Sequence, residues 1–214
     1  MPALAQQTAQ LLAFPGRGIS VRAALTPALK YHRLPEQLIE AFLREASAYA
    51  SHGIDEALAR VLAARMQIMP LELAQCERVF LIGPKGAGRS AVAAKLVETA
   101  TQAGSNRLVV IDSQGFNPRN LKARTAFGCI GDRDEVETIG VVSALADAEE
   151  ISETIAAFQL KRLIVTGLDM TRRYGALAAA VTQGAQLAHV TRSPDADAPL
   201  ETLSPRELAT LLLG

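Results

Sequence analysis

The chain contains no tryptophan, and aromatic residues make up only 4% of it, so large rings cannot dominate its interior. Apolar residues nevertheless reach 49%, which leaves Leu, Ile, Val and abundant Ala to fill the core. Small side chains let helices approach closely, which suits a helix-rich layer packed on a sheet. Excess charge of either sign is also missing, with 22 Lys and Arg against 22 Asp and Glu. A broad nucleic-acid footprint needs clustered positive charge to neutralise phosphates. No nucleic acid is therefore expected as a partner, although a local basic site stays open. Cys76 and Cys129 have no CxxC or CxxH context; they read as small buried hydrophobes of a protein kept in a reducing compartment. His32, His52 and His189 lack ligand spacing, so no histidine metal site is expected. No stretch approaches the ~20 apolar residues of a membrane span. The opening MPALAQQTAQLLAF lacks the basic start and longer apolar run of a signal peptide. The expectation is a soluble cytoplasmic protein.

What is present falls into two textures. Ala3 to Phe14 and Val21 to Tyr31 each suit a short helix, separated by Pro15-Gly16-Arg17-Gly18. Pro35 then opens a stronger candidate with Leu38, Ile39, Phe42 and Leu43 on one face. Asp55 to Met66 repeats the helical spacing, and Pro70 closes the region. The first third carries no strand pattern. From residue 78 short apolar runs at 78–82, 108–111, 139–142, 163–165 and 187–190 alternate with helical segments, notably Asp147 to Phe158 and Gly175 to Val181. Such alternation implies a mostly parallel sheet flanked by helices on both faces. The predicted architecture is α/β with a P-loop, residues 1–72 forming a helical domain and 73–214 the α/β domain.

The strand, loop and helix at 78–101 carry the most information. Gly83-Pro84-Lys85-Gly86-Ala87-Gly88-Arg89-Ser90 matches GxxxxGK followed by Ser or Thr, except that Arg89 stands where Lys is usual. Glycines let the backbone curl so that successive N–H groups face phosphate oxygens, and the following helix adds its positive end. Gly83, Lys85, Gly86, Ala87, Gly88, Arg89, Ser90 and Ala91 are the candidate phosphate contacts. Ser90 would offer a hydroxyl to Mg²⁺ and Arg89 a cation to the β- and γ-phosphates. A planar guanidinium fits a narrow loop less well than an ammonium, and Lys85 is a partial substitute. Three readings stay open: a bare glycine turn, a phosphate loop that has lost efficient catalysis, and a working hydrolase.

Asp112 closes a buried strand, and Gly115 follows three residues later. An acid there holds a Mg²⁺ water and senses the γ-phosphate in P-loop proteins; a plain strand-end turn is the alternative. Thr166-Gly167-Leu168-Asp169 follows another strand directly. Arg172-Arg173 reads as a solvated helix start or an anion site, and Asp132-Arg133-Asp134-Glu135 as a polar connection.

From about residue 33 to the end, these elements in this order resemble the SRP-type GTPases, and in particular the FlhF-like branch concerned with flagellar placement. PLELAQCERVFLIGPKGAGRSAVAAKL is similar to the family's approach to its phosphate loop, VIDSQGFNPRN to its DTAGxNP element, and KRLIVTGLDMTRRYGALAAAV to its strand followed by TKxD. The resemblance implies that Thr166 and Asp169 select guanine, that Arg89, Asp112 and Gly115 take the catalytic positions, and that Ser90 and Asp112 serve Mg²⁺. It implies GTP or GDP as ligand, a homodimer or a FlhG/MinD-like partner, and peripheral association at the inner membrane or cell pole. The departures are as specific. Gly167 replaces the Lys of TKxD, Ser113-Gln114 replaces Thr-Ala, and the section holding the family's insertion and its DTxR switch is missing. An alternative alignment sets Asp112 in the DTxR region. Three functions follow: a GTPase with weak or lost hydrolysis, a nucleotide-free pseudo-GTPase scaffold, or a MinD/ParA-like ATPase.

Overall fold

Ser20 accepts a hydrogen bond from the Ala23 amide and so caps the first helix, α1 (Val21–Tyr31). The computed structural model describes residues 20–214 apart from 75, 106, 132–135 and 183. The candidate helix at 3–14 and the polar connection at 132–135 lie outside the described residues. Helix α2 (Glu36–Ala46) follows Pro35 and buries Leu38, Ile39, Phe42 and Leu43, the face that the spacing predicts. A 3₁₀ turn at Ser47–His52 leads through Gly53 into α3 (Ile54–Arg65), which buries Leu58, Val61 and Leu62.

The first third is not the wholly helical region that its lack of a strand pattern implied. Strand β1 (Gln67–Ile68) pairs in parallel with β6 (Gln186–Val190). Two residues are too few to show alternation, so only the sheet reveals this strand. The remaining strands are β2 (Arg78–Ile82), β3 (Val109–Asp112), β4 (Glu137–Ser143) and β5 (Arg162–Thr166). They form a six-stranded sheet in the order β1-β6-β5-β4-β2-β3, and every pairing is parallel. Helices α4 (Arg89–Gln102), α5 (Leu121–Gly131), α6 (Ala148–Phe158), α7 (Gly175–Thr182) and α8 (Pro205–Leu213) connect and cover it. This is the α/β architecture of a P-loop protein.

Strand periodicity divides the core. Val79, Leu81, Ile139, Val141 and Ile164 join Val92 and Leu96 of α4 on one face. Phe80, Ile82, Val142, Leu163 and Val165 join α1–α3 and α6–α8 on the other. The central strands are covered on both faces, which is why they read as unbroken apolar runs. Strand β3, expected to be buried, is instead an edge strand that leaves Val109 52% and Ile111 41% exposed. Helix α8, which the apolar spacing did not reveal, starts with a capping box between Ser204 and Glu207 and packs along α3. The Cys76 thiol is half-buried, and burial pushes its pKa up.

Candidate nucleotide site

The turn from β2 to α4 is shaped by glycines for two different reasons. At Gly83 any Cβ would overlap the carbonyl oxygen of Val141 in β4, so only hydrogen fits. Gly86 and Gly88 have φ of 84° and 81°, a left-handed conformation that side chains rarely adopt. Gly88 is also the N-cap of α4, and the loop closes with a 3.3 Å bond from the Ala87 amide to the Pro84 carbonyl. The first-turn amides of Arg89, Ser90 and Ala91 have no intrahelical acceptor and form the positive end of α4. Lys85 and Ser90 are exposed around this concavity, and the Lys85 ammonium has no ion pair among the described residues.

Strand β3 pairs directly with β2 and brings its end to the loop. The Ser90 hydroxyl donates to Asp112 Oδ2 at 2.7 Å, and both side chains reach solvent. Gly115 lies against the loop, where a Cβ would stand 2.9 Å from Lys85 Cα, and the Phe116 amide donates to the Gly83 carbonyl at 3.2 Å. Arg89 is placed differently from the sequence expectation. Its guanidinium turns to the end of β3, where Nη1 donates to the Ser113 carbonyl and, at 2.9 Å, to the Ser113 hydroxyl. The same nitrogen stands 3.5 Å from Asp112 Oδ1, and the side chain is only 11% exposed. One nitrogen, Nη1, makes all of these contacts, and the buried Nε has no hydrogen-bond partner among the described residues.

On the other side of the loop the Thr166 hydroxyl donates to the Ala87 carbonyl at 2.8 Å, which ties β5 to the phosphate loop. The chain then turns at Gly167, whose φ of 74° would strain a longer residue. Asp169 emerges exposed beyond this turn. Gly86, Gly88, Thr166, Asp169 and Ser193 line one cavity of ≈ 130 Å³. Lys95 also borders it, and sequence reasoning missed this residue. It is 1% exposed, and its ammonium donates to the Asp195 carbonyl and, at 2.8 Å, to the Ala198 carbonyl. The charge thereby fixes the segment after β6 against α4. The available signal was a lysine beside Val92 and Leu96 on the buried stripe of α4. His189 in β6 is buried and accepts from the Leu71 amide at 3.1 Å, and burial lowers its pKa.

No family model and no curated protein matches the chain. Solved structures do. FlhF complexed with GTP/Mg²⁺ superposes with a TM-score of 0.75 at 15% identity, covering 92% of this chain and 100% of that one. Chloroplast FtsY from Physcomitrella patens gives 0.72 at 13% identity, covering 100% of this chain and 94% of that one. The signal recognition particle 54 kDa protein from Aeropyrum pernix K1, in complex with GDP, gives 0.67 at 17%, covering 99% and 68% respectively. The chain has the fold of the SRP-type GTPases. Within that SRP-type fold, α4 runs on to edge strand β3 through residues 103–108, and no element intervenes among the described residues. The departures at Arg89 and Gly167 fall on either side of the phosphate loop.

Proposed function

We propose that the chain is a guanine-nucleotide-binding protein of the FlhF/SRP type in which hydrolysis is weak or lost. The observation that carries this reading is that one loop serves two features. Asp169 shares a cavity with Gly86 and Gly88, while Ser90 and Asp112 stand 2.7 Å apart where the loop enters α4.

The residues fit the groups this reading requires. The glycine turn leaves room for phosphate oxygens against the free amides of α4. Ser90 and Asp112 offer hard oxygen donors, and Mg²⁺ suits a hydroxyl and one carboxylate completed by phosphates and water. No group of three metal-binding side chains occurs among the described residues, so the phosphates would have to complete the shell. A bound Mg²⁺ would supply charge neutralisation between the phosphates. Lys85 is the exposed cation placed to approach them, whereas Arg89 is engaged with Ser113 and Asp112. Phosphoryl transfer depends on positioned charge and a positioned water. With Arg89 bonded to Ser113 and beside Asp112, and no switch section between α4 and β3 among the described residues, both are diminished.

The proposed role is flagellar placement or protein targeting, which the resemblance to the FlhF/SRP-type family implies. A homodimer or a FlhG/MinD-like partner, with peripheral association at the inner membrane or cell pole, belongs to the same reading. A nucleotide-free scaffold is the second reading, favoured by the bonds that hold Arg89 at the end of β3. A MinD/ParA-like ATPase fits less well, because adenine lacks the adjacent ring N–H and amine from which Asp169 would accept. The test is titration of the purified chain with fluorescent GTP and ATP, with and without Mg²⁺. Saturable, Mg²⁺-strengthened binding of GTP over ATP is expected. No binding of either at millimolar concentration would leave the scaffold reading, and tighter ATP binding would favour the ATPase.

A further inference from the structure

Beside the nucleotide site, a groove of ≈ 550 Å³ separates the turn that ends α1 from the loop that follows β5. Arg33 lines one wall, and Arg172 and Arg173 line the other. None of the three pairs with a carboxylate among the described residues. Positive charge therefore gathers on both walls of the groove, and the fold fixes the segments that carry it.

The Arg173 guanidinium lies 5.6 Å above the Tyr31 ring, which steadies it. The Thr171 hydroxyl donates to the Arg173 carbonyl at 2.9 Å and accepts from the Arg173 amide at 3.2 Å. The Tyr174 amide donates to His32 Nδ1 at 3.1 Å, which ties this loop to the α1 turn. Arg33 itself sits at φ 57°, so its wall is formed by an uncommon backbone conformation. Asp147, exposed at the far end, is the one carboxylate among the described lining residues, and its Oδ1 caps α6 by accepting from the Glu150 amide at 2.7 Å. Between the ends Leu145 is 56% exposed. Guanidinium forks match carboxylates in geometry, and an exposed leucine adds an apolar contact that a small inorganic anion would not use. The site is concave, so a flat bilayer would not reach its walls.

We propose that this groove docks an acidic peptide segment of a partner protein, carboxylates on Arg33, Arg172 and Arg173 and an apolar side chain on Leu145. The loop from Gly167 to Arg173 lines both this groove and the Asp169 cavity, so an occupied groove would stiffen the base-side wall. The docking itself requires no nucleotide.

The experiment uses the full chain and a short fluorescent peptide of Glu and Leu, followed by anisotropy at low and high salt. Saturable binding that weakens with salt is expected. Binding should fall roughly tenfold or more in Arg172→Glu/Arg173→Glu, which circular dichroism should show to be still folded. The Arg44→Glu/Arg107→Glu variant, which changes charge equally outside the groove, should bind as the wild type does. Leu145→Ser should weaken binding less than the arginine pair. Absence of binding, or equal loss in both charge-reversed variants, would overturn the proposal. So would phosphatidylserine vesicles, or a second copy of the chain, engaging Arg172 and Arg173 while the peptide does not.

Discussion

Arg89 and Ser113 are joined twice, through the carbonyl and, at 2.9 Å, through the hydroxyl of Ser113. The cation that would lie over the phosphates is thus anchored to the strand end that carries Asp112. Release of Arg89 would break charge-assisted bonds inside a largely buried environment.

GTP turnover by the protein alone is accordingly expected to be far below the roughly 1 per second of an ordinary kinase. Arg89→Lys should tighten GTP binding by about tenfold to hundredfold, the worth of one charged hydrogen bond. Single-turnover hydrolysis and equilibrium titration of both proteins check this. Wild-type turnover at kinase speed, or a lysine variant that binds GTP no better, would contradict it.

The helical segment provides a second test. Gly175 opens α7 where a Cβ would overlap the His32 carbonyl oxygen and stand 2.9 Å from the Leu34 amide nitrogen. We propose residues 1–72 as a helical unit docked on 73–214, with β1 entering the sheet. Gly175→Ala should then loosen the docking, at about 1–3 kcal/mol of overpacking. The wild type should resist limited proteolysis between β1 and β2, and the variant should be cut faster. Equal cutting of both, into separable soluble parts, would show an independent appendage.

The glycine loop, Asp112 and Asp169 were legible in the sequence because each depends on local spacing at a strand end. The two-residue β1 was not, because the sheet alone creates it. Lys95 was missed because its partners, the Asp195 and Ala198 carbonyls, lie a hundred residues away. The same holds for Arg89: its type was evident, but the direction of its side chain depends on where β3 ends.

Acid should weaken the fold through His32. Burial is the main cause that lowers its pKa from 6.5 to about 4, and the nearby Arg173 charge acts in the same direction. The folded protein therefore resists binding a proton that the unfolded chain accepts. Its contribution is complete above pH 6.5 and declines as pH falls toward about 4. His189 is shifted in the same direction. His32→Asn keeps an acceptor for the Tyr174 amide but cannot titrate. Denaturant melts across this range should show a shallower acid-side decline for the variant. An identical decline would assign the acid sensitivity elsewhere.

Base selection is the sharpest test of Asp169. A carboxylate accepts two hydrogen bonds from the ring N–H and exocyclic amine of guanine, and adenine offers no such pair of donors. The exposed Asp169 has no hydrogen bond or ion pair with any described side chain, so nothing must be broken before a base arrives. Gly167 gives the ring no aliphatic cover, and its φ of 74° disfavours a replacement that would supply one. Affinity is therefore expected to be low and selectivity to survive. A carboxylate left unpaired against adenine costs about 1–3 kcal/mol, roughly a tenfold to hundredfold preference for GTP. In Asp169→Asn the amide presents a donor where guanine also donates, so the preference should collapse and xanthine nucleotide should gain. Competition among GTP, ATP and xanthosine triphosphate on both proteins measures this directly. Equal affinity for GTP and ATP in the wild type, or an unchanged ranking in the variant, would make Asp169 only the residue that ends a turn.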